Sequence, residues 1–236
     1  MEKGQIMYKN TVAFTLSEVL ITLGIIGVIA AMTLPTLIAN HKAKVYKNQF
    51  KAAQSTLQQI VTFAISDYGG FNEQDAYENK KMFKALFIKR IKGIDCTQFA
   101  NKNCFDADNP EGYYDAFDGG MKAYRSWFDD GQFIGNNGIL FLIEDGGQID
   151  PTTGEEIVAI SVDLNSWRKL PNRWGYDLFT FQLKNNRFIP MGSDDSAFPY
   201  KNNLNYCMKG KRGIRNGLSC TGRAAIEDDY FEKLFR

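Results

Sequence analysis

Hydrophobic and polar positions divide the chain into stretches of different rhythm. Residues 1–13 are mostly polar and carry Lys3 and Lys9. The chain turns apolar at Phe14, and Val19 to Ala39 is a run of 21 residues without a charged side chain. About 20 helical residues cross the hydrocarbon core of a bilayer, so this run predicts one membrane helix. It continues past Ala30-Ala31, the small pair at which a secretory signal peptide would be cut, and is longer than the apolar part of such a peptide. A retained span fits better. The short cationic flank holds the N-terminal side in the cytoplasm and predicts export of the rest, although Lys42, Lys44 and Lys47 on the far side weaken that bias.

Beyond Ala39 the apolar positions narrow to one face. Tyr46, Phe50, Ala53, Leu57, Ile60 and Ala64 recur at spacings of four and three, with Lys47, Lys51, Gln54 and Gln58 on other faces. Gly69-Gly70 ends the pattern. One helix over 14–68 is expected, spanning the membrane over about 19–39 and amphipathic over about 40–66, roughly 80 Å long at about 1.5 Å per residue. Residues 69–236 form the exported globular head. Lys80 to Lys92 reads as a short amphipathic helix belonging to that head. Cys96 to Gly120 is rich in Asp, Asn, Gly and Tyr and reads as irregular.

The period then changes to two. Gly138–Ile143, Glu156–Asp163 and Leu178–Leu183 read as strands, with a turn or loop over 144–155 around Gly146-Gly147 and Pro151. Asn185-Asn186 predicts a hairpin turn into a further strand beginning at Phe188. Consecutive strands with short links predict an antiparallel meander, one face of which receives the helix stripe. The expected class is α+β. Ala224–Phe235 fits a strand or a helix equally well.

The net charge of +1 and the lack of a basic stripe argue against nucleic-acid binding. The densest cationic stretch, Lys209 to Arg215, reads as a solvated loop. Four cysteines stand at 96, 104, 207 and 220, with no Cys-x-x-Cys pair, and the single histidine is His41 beside the apolar run. That is a poor zinc set. An exported head predicts two disulfides, with four free buried thiols as the alternative. Of three connectivities, the sequence-local pairs Cys96–Cys104 and Cys207–Cys220 are preferred.

Glu18 interrupts the apolar pattern at the edge of the span. Either it marks the headgroup level, or it has a function that offsets the cost of a carboxylate there. The surrounding segment Ala13-Phe14-Thr15-Leu16-Ser17-Glu18-Val19-Leu20-Ile21 closely resembles the processing site of type IV prepilins, in which a small residue precedes a Phe and a Glu is fifth from that Phe. Gly27 and Pro35 fall where that family commonly carries a Gly and a Pro. The resemblance is strong over about 25 residues. It implies that residues 1–13 are a leader, that a prepilin peptidase cuts between Ala13 and Phe14, and that Phe14 becomes N-methylated. Glu18 would then pair with the amine of a neighbouring subunit, each relieving an otherwise costly charge in a low-dielectric bundle. The family usually has Gly where this chain has Ala13. Starting at Met7 would leave a seven-residue leader.

Gly27 and Ala31 share one helix face and let helices approach closely, or are simply common membrane-helix residues. Pro35 should kink or loosen the helix. The connection Asp163-x-Asn165…Pro171-Asn172…Gly175-x-Asp177-x-Phe179 looks like a segment of pseudopilin-like proteins. In some major pseudopilins a loop in this general region binds calcium, which makes Asp163, Asn165 and Asp177 candidate oxygen donors. The alternative is a loop in which Asp and Asn bond nearby backbone N–H groups. Trp167 and Trp174 read as packing that loop. Pilins also frequently carry a C-terminal disulfide loop, as Cys207 and Cys220 would form.

No cofactor is required by these patterns, and an enzymatic head is not expected. His41 beside the membrane rules out a Ser–His or Cys–His pair in the head, and no Gly-rich phosphate loop follows a strand. Asp129, Asp130, Glu144 and Asp145 read as solvated loop acids rather than a hydrolase pair. The leading expectation is a pilin-like subunit of a type II secretion pseudopilus, type IV pilus or competence filament, with the inner membrane, prepilin peptidase and other pilin-like subunits as partners. The runner-up is a signal-anchored exported binding protein that does not assemble.

Overall fold

The computed structural model describes residues 15–70, 72–96 and 114–235. Ala13, Phe14 and Cys104 lie outside the described residues.

Helix α1 runs from Leu16 to Tyr68, 53 residues, and its helical assignment continues through Pro35. It starts at a capping box, with Thr15 and Glu18 each satisfying a backbone N–H of the other. It stops at Gly69, whose φ of 79° is left-handed and whose N–H bonds the Ile65 carbonyl. The two halves differ in surroundings. Large apolar side chains from Leu16 to Ile38 are exposed, whereas Ala43, Phe50, Ala53, Leu57, Ile60, Val61 and Ala64 are buried. The expected stripe is therefore the buried face, with Tyr46 partly buried beside it.

Two short helices follow, α2 (Glu73–Glu78) and α3 (Lys80–Ile91). The second matches the expected amphipathic segment and buries Phe83, Leu86 and Phe87. The sheet has six strands: β1 (Gly93–Asp95), β2 (Gly131–Gly135), β3 (Leu140–Glu144), β4 (Ala159–Asp163), β5 (Leu178–Lys184) and β6 (Arg187–Pro190). Their spatial order equals their sequence order and every pairing is antiparallel, which is the expected meander. Asn185 and Asn186 both take positive φ, 49° and 56°, as a type I′ hairpin turn demands. Strands β1 and β2 were not anticipated, being short and starting on Gly.

One sheet face carries Phe133, Phe141, Ile143, Ile160, Val162, Phe179 and Phe181 and packs under α1 and α3. The other face is also buried. Leu140, Leu142, Ala159 and Leu178 lie beneath Trp127, Trp174, Met191, Tyr200 and Leu218, contributed by irregular segments. Strand β5 puts Thr180 and Gln182 on this second face, where both are buried and bonded. The head thus has three layers: helices, sheet and a loop layer.

The ambiguous tail is helical, as α4 (Cys220–Ile226) and α5 (Tyr230–Phe235). Helix α5 docks on α1 through Tyr46–Phe235 and Phe50–Phe231 ring contacts, at 5.0 and 5.7 Å between centroids. Cys207 and Cys220 form the expected disulfide. Cys96 is also disulfide-bonded. Gly175 sits against the Cys207–Cys220 bond with φ of 76°; a Cβ there would lie 2.7 Å from Cys220 Sγ. Lys209, Lys211 and Arg212 are exposed, consistent with a solvated loop.

Phe50 touches Phe179, Phe181 and Phe231 and is 2% exposed. We expect Phe50→Ala to lower head stability by about 3–5 kcal/mol. Chemical denaturation of the detergent-solubilised chain, followed by near-UV circular dichroism, measures this; a loss below about 1 kcal/mol would contradict the packing described.

Candidate functional site

Three places hold the residues singled out by sequence. The first is the start of α1. Glu18 Oε2 accepts from Thr15 N–H and from Thr15 Oγ1–H, both at 2.8 Å. Its negative charge also complements the helix N-terminus. The carboxylate therefore has a partner within its own first turn. The sequence signal for this was Thr15-x-x-Glu18, a capping-box spacing not read as such. Downstream, Gly27, Ala31 and Pro35 are all exposed, and nothing lies within 4 Å of a Cβ placed on Gly27. This half of α1 is long and apolar enough to be a single membrane span. His41 is exposed on the same helix.

The second place is the β4–β5 connection. Asp163 ends β4, and Asp177 immediately precedes β5. Asp163 Oδ2 accepts from Tyr114 O–H at 2.8 Å, and Oδ1 from Asn165 N–H at 3.1 Å. Asp177 Oδ2 accepts from Asn172 N–H at 2.9 Å, and Oδ1 from Arg173 N–H at 2.7 Å. Asn165 donates through Nδ2 to Tyr46 Oη at 2.8 Å, which ties the loop to α1. The structure thus brings the three predicted donors together. All four carboxylate oxygens face N–H or O–H donors, while Asn165 Oδ1 is buried with no hydrogen-bond partner among the described residues. The set is held by these bonds. It is a hydrogen-bond clamp of the kind Asp and Asn build with backbone N–H groups. Trp174 is fully buried and donates Nε1–H to Thr180 Oγ1 at 3.0 Å, so it packs the loop as expected.

Both carboxyls are buried, and that shifts their protonation. Burial pushes Asp177 up to about 6, against the lowering effect of its backbone N–H donors. Burial, and then the Asp177 charge, push Asp163 well above its usual range. Tyr46 is pushed up to about 12 by burial and by the nearby Asp177 and Asp163 charges.

The third place corrects an expectation. Asp129, Asp130, Glu144 and Asp145 were expected to be solvated, yet Glu144 and Asp145 are each 1% exposed. Glu144 continues the side of β3 that carries Leu140 and Leu142, whereas Asp145 turns toward α3. Asp145 takes Lys80 at 2.7 Å and Lys84 at 2.8 Å, two residues one helical turn apart on α3. Burial pushes Asp145 up, but these lysines outweigh it and hold the carboxyl below its usual range. Glu144 has no such partner: burial, then the Asp130 charge, push it up to about 9. Sequence reasoning treated these four as one class because neither burial nor the lysine partners are visible in local composition.

No protein-family model, curated protein or solved structure matches the chain.

Asp177→Asn would turn an amide N–H toward a backbone N–H that now has an acceptor. We expect a loss of about 1–3 kcal/mol at neutral pH, despite removal of a buried charge. A carboxyl whose folded pKa is raised contributes stability that is complete below its unfolded value and lost as pH rises through the folded one. The advantage of the wild type over Asp177→Asn should therefore shrink between pH 3.8 and about 6. Paired denaturation curves across that range measure it, and a growing advantage would contradict the assignment.

Proposed function

We propose that the chain is a pilin-like structural subunit of a type II secretion pseudopilus or type IV pilus. In this reading the precursor is cut between Ala13 and Phe14 by a prepilin peptidase, Phe14 is methylated, and α1 carries the subunit from the inner membrane into a helical filament. The observation that carries it is the division of α1. Its first half exposes an apolar surface that no described part of the head covers, while its second half is locked into the head. Because α1 is assigned as one helix from Leu16 to Tyr68, contacts made by the exposed half bear on the placement of the head. Gly27 and Ala31 offer a shallow surface for a neighbouring helix. Glu18 would exchange its bonds to Thr15 for the amine of an adjacent subunit.

The runner-up is an exported binding protein held by the same helix without assembly. It is favoured by one fact: Glu18 already has a partner in its own first turn and does not need a neighbour.

Intact mass of the protein isolated from membranes separates the two. The filament reading expects loss of residues 1–13 and gain of one methyl group; an uncut N-terminus overturns it. Glu18→Ala should insert into the membrane as the wild type does and fail to enter filaments recovered by shearing. Filament incorporation at the wild-type level would remove the proposed inter-subunit pairing.

A further inference from the structure

Glu144 raises a problem that the fold alone does not solve. It ends β3, is 1% exposed, and carries a carboxylate whose Oε1 accepts from Gly146 N–H at 3.2 Å. Its Oε2 has no hydrogen-bond partner among the described residues. A buried carboxylate oxygen without a partner is costly, and the usual remedy is a cation or a donor. No lysine fills the role, because Lys80 and Lys84 both reach Asp145 instead.

What Glu144 faces is more negative charge. Strands β2 and β3 pair with Gly131 opposite Ile143, and Asp130 N–H continues the ladder to the Ile143 carbonyl at 3.1 Å. Continuing that register sets Asp130 opposite Glu144, on one face of the sheet. Like charges placed so are destabilising. Asp129 completes the group: carboxylate oxygens of Asp129, Asp130 and Glu144 lie within 4.8 Å of one another. Asp130 Oδ2 accepts from Asp145 N–H, which fixes that side chain, and Asp129 has Arg125 only at 3.7 Å. Its side chain is 29% exposed, which leaves the group one side open to water.

We propose that Asp129, Asp130 and Glu144 form a binding site for a hard divalent cation of the calcium type. All the donors are carboxylate oxygens, and neither histidine nor cysteine contributes, which disfavours zinc and copper. Three carboxylates exceed the one or two with which magnesium usually binds while keeping several waters. Water on the Asp129 side would supply further ligands. The ion would displace the proton that Glu144 otherwise holds, give the orphaned oxygen a partner, and join the start of β2 to the end of β3. This site is separate from the Asp163–Asp177 clamp and does not depend on the filament reading.

The test uses the full chain in detergent, stripped with a chelator and then titrated with CaCl₂ by calorimetry, with melting temperature read in parallel. Binding with Kd of about 1 mM or tighter, and a rise in Tm, are expected. Glu144→Gln retains shape and should weaken calcium binding at least about tenfold, a loss of about 1.4 kcal/mol, and abolish the Tm rise. Asp129→Asn, at a partly exposed position, should weaken binding in the same direction. No heat and no Tm change with the wild type would overturn the site, as would equal calcium responses in the wild type and both variants.

Discussion

The structure depends on one helix meeting two different surroundings. Phe50 is the fixed point. Its ring contacts Phe179 and Phe181 of β5 and Phe231 of α5, so helix, sheet and C-terminus meet at one side chain. Without the stripe from Ala43 to Ala64, the Phe and Ile positions on that sheet face would stand in water. Burial of each large apolar side chain is worth roughly 1.5–3 kcal/mol, so the head needs the helix to fold. Because the same helix continues without interruption to Leu16, that packing also determines where the exposed apolar half projects.

The second sheet face imposes a different requirement. It is covered by irregular segments, whose backbone groups must be satisfied locally. Asp163 and Asp177 do this by accepting from Tyr114 and from three backbone N–H groups, and Asn165 extends the network to Tyr46 on α1. The loop layer is therefore tied, round the ends of β4 and β5, to the helix on the opposite side. Burying two carboxyls raises their pKa values, and the N–H donors are what keep them compatible with the fold.

Asp145 and Glu144 show how position decides the behaviour of chemically similar neighbours. Successive strand residues point to opposite faces and, at a strand end, into different surroundings. Asp145 meets two lysines presented by α3, whereas Glu144 meets Asp130 across the ladder. A single-residue step thus separates a buried carboxylate held ionised by two lysines from one that burial and a neighbouring acid keep protonated.

Much of the architecture was legible in the chain because it follows from local periodicity. The uncharged run 19–39, the stripe from Tyr46 to Ala64, the Gly69 stop and the Asn185-Asn186 turn each depend on residues close together in sequence. The resemblance of residues 13–21 to a prepilin processing site is likewise a local property. Strand β1 has three residues, and β2 begins and ends on Gly, so neither offered enough side chains to show a period. The tail is two helices, α5 docked on α1 and α4 on β5 and β6, packing that lies far away in sequence. Tertiary structure alone decided that the second sheet face is covered, that the Asp163–Asp177 connection is a hydrogen-bond clamp, and that Glu144 lies buried opposite Asp130. The reason is physical: periodicity reports which way a side chain points, but its charge state and partners depend on what the rest of the chain places there.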